Sequence, residues 1–149
     1  MTIIKSPHKI LNSKTKEVAK INDEIKKLIN EMISIKDKNK AVGLAANQIG
    51  KSHRIAVIGY KGKENEISIP EIVMINPIIT WKSPEYSTQK ERCLSVTERE
   101  YDVPRAKKIH VHYTDIEGSK KKLKARGVLA RIIQHEIDHL DGKKISDYK

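Results

Sequence analysis

Phenylalanine is missing from this chain, and its aromatic side chains amount to five tyrosines and one tryptophan. A surface that holds nucleic acid by stacking its bases would find little to stack on. Cysteine is nearly missing too. The single Cys93 excludes an intrachain disulfide and fits a reducing compartment. No run approaches the ~18 consecutive apolar residues of a membrane-spanning helix. The opening residues, MTIIKSPHK, lack a basic segment followed by a long apolar one, so no secretory signal is read there. The expected setting is the cytoplasm of a bacterium or a phage-infected cell, or an organelle after removal of a transit peptide. Acidic residues are in deficit: 19 against 30 lysines and arginines, for a net charge of +11. The excess is read first as a lysine-rich solubilising surface. The alternative is weak attraction to a polyanion such as the ribosome surface.

At 149 residues, 38% apolar and 33% charged, the chain fits one folded domain spanning 1–149. Residues 1–20 are polar and irregular. Asn22-Asp23 then offers an N-cap, and Ile25, Leu28, Ile29, Met32 and Ile33 follow at helical spacing. The segment 41–50, AVGLAANQIG, reads as a short turn and strand. Short β-like runs follow at 55–58, 72–75 and 78–81, the last two separated by Asn76-Pro77. From Lys108 to Tyr113 the alternation is clean, with Ile109, Val111 and Tyr113 on one side and Lys108, His110 and His112 on the other. The two histidines are therefore expected at the surface. A turn at 115–118 and a returning strand at 119–126 come next. Gly127 then opens an apolar helix, with Gly142 as its expected C-cap. The strands lie too close together for βαβ crossovers. The predicted class is α+β, with antiparallel sheets and no membrane segment.

The last helix carries QHEIDHLDG (134–142), an H-E-x-x-H pattern. Helical spacing puts His135 and His139 on one face, one turn apart, where both can reach one ion. Glu136 stands beside them to take a proton from water. Catalytic sites of this kind use a third protein ligand. Downstream only Asp141 and Asp147 remain, and Asp141 is turned away from the shared face. The search therefore moves upstream, where Cys93 is the best candidate, since a thiolate binds Fe(II) or Zn(II) well. A Cys–His nucleophilic pair competes, but leaves the second histidine and the glutamate idle.

AVGLAANQIG, ERCLS (91–95) and QHEIDHLDG together resemble the three signature motifs of the peptide deformylases. Those run roughly G-x-G-x-A-A-x-Q, E-G-C-x-S and H-E-x-x-H, and Val103-Pro104-Arg105 matches as well. The resemblance implies antiparallel sheets wrapped around the HExxH helix. It implies a metal held by Cys93, His135 and His139, natively Fe(II) and exchangeable for Zn(II), Ni(II) or Co(II). The fourth position would carry water or hydroxide, which attacks the formyl carbon of an N-formylated nascent peptide. Glu136 would accept the proton and deliver it to the leaving amine. The Gln48 side chain and the Leu94 N–H would stabilise the oxyanion. Gly43, with Leu44 beside it, would lie against the substrate backbone. Glu91 and Arg105 would pair to hold the Cys93 loop. A monomer is implied. The chain ends soon after the HExxH helix, where many members continue into a C-terminal helix, so a minimal form is expected.

Three positions depart from the pattern. Ala41 and Arg92 replace motif glycines, and Gln89 replaces an apolar residue. Arg131 lies one turn before His135, where the resemblance places the wall of a methionine pocket with Val128 and Ile132. It is expected to snorkel outward along its stem; a more polar pocket with altered selectivity is the alternative. Two other classes stay open: an HExxH protease or amidase of another kind, and an inactive basic binding module.

Overall fold

The computed structural model describes residues 2–148 apart from 65 and 67. Its first long helix, α1 (Asp23–Lys38), starts where Asn22 caps it: the Asn22 side chain accepts the Ile25 N–H at 3.0 Å. Asp23 and Glu24 in the first turn and Lys36 and Lys38 in the last both suit the helix dipole. Ile25, Leu28, Ile29 and Met32 form the buried stripe. They pack on strands β1 (Gly43–Ala45) and β2 (Ile55–Tyr60). Between those strands, residues 46–49 form a 3₁₀ turn that buries Asn47 and Gln48.

Strands β3 (Ile69–Lys82), β6 (Lys108–Thr114) and β7 (Lys120–Arg126) complete an antiparallel five-stranded sheet in the order β1-β2-β3-β6-β7. A separate hairpin pairs β4 (Tyr86–Cys93) with β5 (Val96–Ala106). Helix α2 (Gly127–Leu140) lies on the inner face of the larger sheet. Its Ala130, Ile133 and Ile137 meet Ile58, Met74, Ile109 and Val111. The antiparallel α+β reading of the sequence holds. His110 and His112 face away from the core, as the alternation requires.

Three details differ from the sequence expectations. The hairpin β4–β5 was not foreseen as strands. Asn76-Pro77 does not end a strand, because β3 runs straight through it. Asn76 takes a left-handed φ of 54° and the register slips between Ile75 and Ile78, which accommodates a proline without an N–H. The Asn76 side chain clamps the N-terminal arm, accepting from the Val18 N–H at 2.8 Å and donating to the Val18 carbonyl at 2.9 Å. Finally, the α2 cap is Asp141, and Gly142 lies one residue beyond at φ 79°. A Cβ there would sit 2.8 Å from the Asn12 backbone, so this glycine lets the N-terminal arm pass against the end of α2.

Asn76→Ala should destabilise the protein by about 2–3 kcal/mol, through two lost hydrogen bonds and a strained alanine. Asn76→Gly should recover about 1 kcal/mol of that by relieving the backbone alone. Denaturant midpoints of the two variants check this. Equal midpoints would mean that the left-handed conformation costs alanine nothing.

Candidate metal centre

Helix α2 carries His135, Glu136 and His139, and the last residue of β4 is Cys93. The hairpin brings the thiol over the helix. One ligand atom from each of Cys93, His135 and His139 falls in a cluster whose members lie within 4.8 Å of one another. Cys93 Sγ is 3.2 Å from His139 Nε2. The sulfur also receives two weaker contacts, from the Ser95 N–H at 3.4 Å and the Gln48 side-chain amide at 3.7 Å. One soft donor and two imidazoles converging on a single point suit a transition-metal ion. A buried atom left without a hydrogen-bond partner among the described residues points the same way: Glu136 Oε1.

Beneath the cluster lies Glu91, buried on β4. Arg105 Nε and Nη2 donate to its two oxygens, each at 2.9 Å. Arg131 pairs with one oxygen and His135 Nδ1 meets the other at 2.9 Å. Arg105 also pairs with Asp138, whose carboxylate receives the Tyr148 hydroxyl at 2.7 Å. Burial alone would push the Glu91 carboxyl up, but hydrogen bonds from Arg105 and His135 hold it far below the usual carboxylate range. The two histidines are driven apart. Burial lowers both. Cys93 and Glu91 outweigh this at His135 and lift it to about 10, whereas His139, also repelled by charge on His135, falls well below 6.5. His135 is thus turned by Glu91 through Nδ1, the arrangement by which an outer carboxylate orients a ligand imidazole.

Burial pushes the Glu136 carboxyl up to about 7. Gly43 of β1 makes room for it, since a Cβ at Gly43 would lie 2.6 Å from Glu136 Oε2. Gln48 is fixed at both ends. Its Oε1 accepts the Ala45 N–H at 2.9 Å, and its Nε2 donates to Ser95 Oγ at 3.2 Å. An open cleft of about 830 Å³ exposes Gly43, Gln48, Cys93, Leu94, His135 and Glu136 together. Arg92, Arg131 and Ile132 also line it.

Not all of the expected substrate residues line the cleft. Leu44 is fully buried in the core beneath α1. Gln89 and Val128 are exposed outside the cleft lining. The Arg92 side chain is 83% exposed and pairs with Glu100 at 3.0 Å. Arg131 does not snorkel outward. Its guanidinium turns down to Glu91 and donates to the carbonyls of Val103 at 3.0 Å and Ser87 at 2.6 Å. Its charge is taken up there, which removes the reason to expect a polar pocket. Sequence reasoning missed Asp138, Tyr148, Ser95 and the N-terminal arm. Asp138 stood in plain sight three residues after His135. In the arm, Ile4 and Ser6 N–H groups donate to the carbonyls of Gln48 and Ser95, each at 2.7 Å, which ties two site loops together.

Antiparallel sheets around a helix that presents two histidines and a buried glutamate to one cysteine define a metal-dependent hydrolase. The family model described as Polypeptide deformylase matches residues 1–148. A peptide deformylase from Dictyoglomus thermophilum is 44% identical over 138 residues, covering 93% of this chain and 85% of that one. The Ehrlichia chaffeensis enzyme in complex with actinonin superposes with a TM-score of 0.93 at 37% identity, covering 100% of this chain and 88% of that one. A Met-Ala-Ser-bound class I type b enzyme from Acinetobacter baumannii gives 0.93 at 27% identity, covering 100% and 98%. The chain belongs to the polypeptide deformylase family.

Two variants probe the geometry. Gly43→Ala should displace Glu136 and lower kcat by roughly 100-fold, the cost typical of a small misplacement in an active site. Its thermal midpoint and metal content should stay near wild type; normal turnover would mean that Glu136 moves aside freely. Arg105→Ala should destabilise the fold by about 3–5 kcal/mol, because it leaves Asp138 without its cation and Glu91 with only one of its two guanidiniums. It should also lower the metal-to-protein ratio after desalting. A full metal complement in the folded variant would detach Glu91 from ligand positioning.

Proposed function

We propose that the chain removes the N-formyl group from formyl-methionyl nascent peptides by hydrolysis, releasing formate. The observation that carries this reading is the Gln48 side-chain amide beside the Cys93 sulfur, 3.7 Å away. An HExxH protease has no need of that pair, whereas a small formyl carbonyl needs a donor this close to the ion. Met-Ala-Ser, bound in the Acinetobacter baumannii structure, has the form that a formyl-peptide takes once the formyl group is gone.

Cys93, His135 and His139 would hold one divalent ion, Fe(II) in our reading and replaceable by Zn(II), Ni(II) or Co(II). When bound, that ion supplies Lewis acidity and an activated water. The chain's own groups do the rest. Gln48 Nε2 is preoriented by its bonds to Ala45 and Ser95, so it can donate to the formyl oxygen as charge gathers there. Leu94, next to Cys93 in the cleft, would add its backbone N–H. Glu136 holds the proton. A carboxyl lifted to about 7 by burial can both accept and return one near neutrality. It takes the proton from the attacking water and passes it to the departing amine. Gly43 leaves the strand edge of β1 bare for the peptide backbone. Ile132 and the Arg131 stem would offer an apolar wall to the methionine side chain. The reaction belongs to a compartment where chains start with formyl-methionine, the bacterial cytoplasm or an organelle, and a monomer suffices for it.

After anaerobic reconstitution with Fe(II) or Ni(II), the protein should release formate from formyl-Met-Ala. Glu136→Ala should abolish this. Gln48→Ala should lower kcat by about 100- to 1000-fold with metal content intact, the usual cost of one lost oxyanion donor. No formate from the metal-loaded protein would favour a binding module, and full activity of Gln48→Ala would remove that side chain from the mechanism.

A further inference from the structure

The inner face of the larger sheet carries α2, and α1 covers the outer face over β1 and β2; neither helix covers the outer face of β6 and β7. Register places cations there in rows. On the edge strand β7, Lys120, Lys122, Lys124 and Arg126 are all exposed and point the same way. They span about 20 Å at a two-residue repeat of roughly 6.6 Å. Across β6, Lys122 faces His112 and Lys124 faces His110. One strand further in, Ile78 continues the first row and Trp81 the second. Trp81, the only tryptophan, sits against His110 with ring centroids 4.7 Å apart and the planes tilted by 40°. It remains 43% exposed, and Ile78 53%. None of these cations pairs with a carboxylate among the described residues, and no row contains an acidic residue.

Lysines on an edge strand also discourage edge-to-edge pairing, and that could account for β7 alone. It does not account for an exposed tryptophan and isoleucine two strands in from β7. We propose that this face binds single-stranded RNA, with the β7 cations along the phosphates and a base stacked on Trp81. Cations in line with one stacking platform are the recognised recipe for sequence-tolerant binding of a strand. Trp81 needs an unpaired base, which RNA offers in loops, bulges and ends and duplex DNA does not. The face is distinct from the cleft, so the inference stands apart from the reaction. It sharpens the meaning of the +11 charge: a defined surface, not a diffuse cloud.

The test uses the full chain and a labelled 12-nucleotide RNA of mixed sequence, read by fluorescence anisotropy. Wild type should bind with an affinity that falls steeply with salt. The double variant Lys122→Glu/Lys124→Glu should weaken binding at least tenfold. Its log–log salt slope should be shallower by about 1.4, two phosphate contacts at the single-strand value. Lys26→Glu/Lys27→Glu on exposed α1 changes net charge equally and should shift affinity less than threefold. Formyl-peptide turnover, unchanged in both, certifies the fold. Trp81 fluorescence should change on adding RNA but not on adding inorganic polyphosphate, and Trp81→Ala should weaken binding roughly fivefold or more. Equal losses in the two double variants would overturn a defined surface. A silent Trp81 would overturn the stacking, and tighter binding to anionic lipid vesicles than to RNA would reassign the face to membranes.

Discussion

The buried carboxylate of Glu91 is the point on which the rest of the molecule hangs. It receives Arg105 from β5 and Arg131 and His135 from α2. The β4–β5 hairpin shares no strand pairing with the larger sheet, and its own apolar cluster is small, centred on Val96, Tyr101, Val103 and Ile145. Ionic contacts, together with the Gln134 side chain bonded to the Ala106 N–H and carbonyl, fix how the hairpin sits on the helix. Two guanidiniums face two carboxylates, Glu91 and Asp138, so these four groups offset one another in charge. Such a set adds little net stability, because desolvation offsets most of the attraction. What it supplies is direction. A greasy contact would tolerate sliding by an ångström, whereas a bidentate arginine–carboxylate pair does not. Cys93 lies two residues beyond Glu91 on the same strand, so its sulfur inherits that precision.

The same logic explains why the reactive groups are crowded by small residues. Glu136 can be both buried and functional only if the strand facing it has no side chain, and Gly43 meets that need. Burial then supplies the raised carboxyl pKa, with no dedicated partner required. Gln48 is handled in the opposite way. It keeps partners on both its oxygen and its nitrogen, so its amide is rigid before any substrate arrives. One group is kept poised by lack of partners and the other oriented by having them. That division suits a proton carrier and an oxyanion donor respectively.

Much of this was legible from spacing alone. Asn22 and the 3.6-residue stripe announced α1, the alternation at 108–113 announced β6, and the turn after it announced β7. HExxH put two donors on one face of α2, and the shortage of downstream donors led to Cys93. The β4–β5 hairpin was illegible because most of β4 is exposed, so no apolar period marks it. The asparagine–proline step hid the continuity of β3, because its left-handed residue is stabilised by Val18, far away in sequence. Arg131 was misread for a related reason. Its position on the helix was right, but its direction was set by Glu91, forty positions earlier. A side chain as long as arginine can reach either way, and only the tertiary location of its counterion decides. Gln89 and Val128 lie outside the cleft because one sits on an exposed strand and the other at the solvent-facing start of α2.

The donors of the metal centre come from two pieces joined by the Glu91 ion pairs and by the Gln134–Ala106 hydrogen bonds. His135 and His139 ride on a helix held by an apolar core, and Cys93 rides on the hairpin. An ion that binds all three crosslinks the pieces. Anything that loosens the Glu91 network thereby raises the population of a form lacking the third ligand, and ion binding opposes it by mass action. Metal affinity and hairpin docking are one coupled equilibrium. The arginines that never approach the chemistry therefore set how much of the protein is competent to perform it.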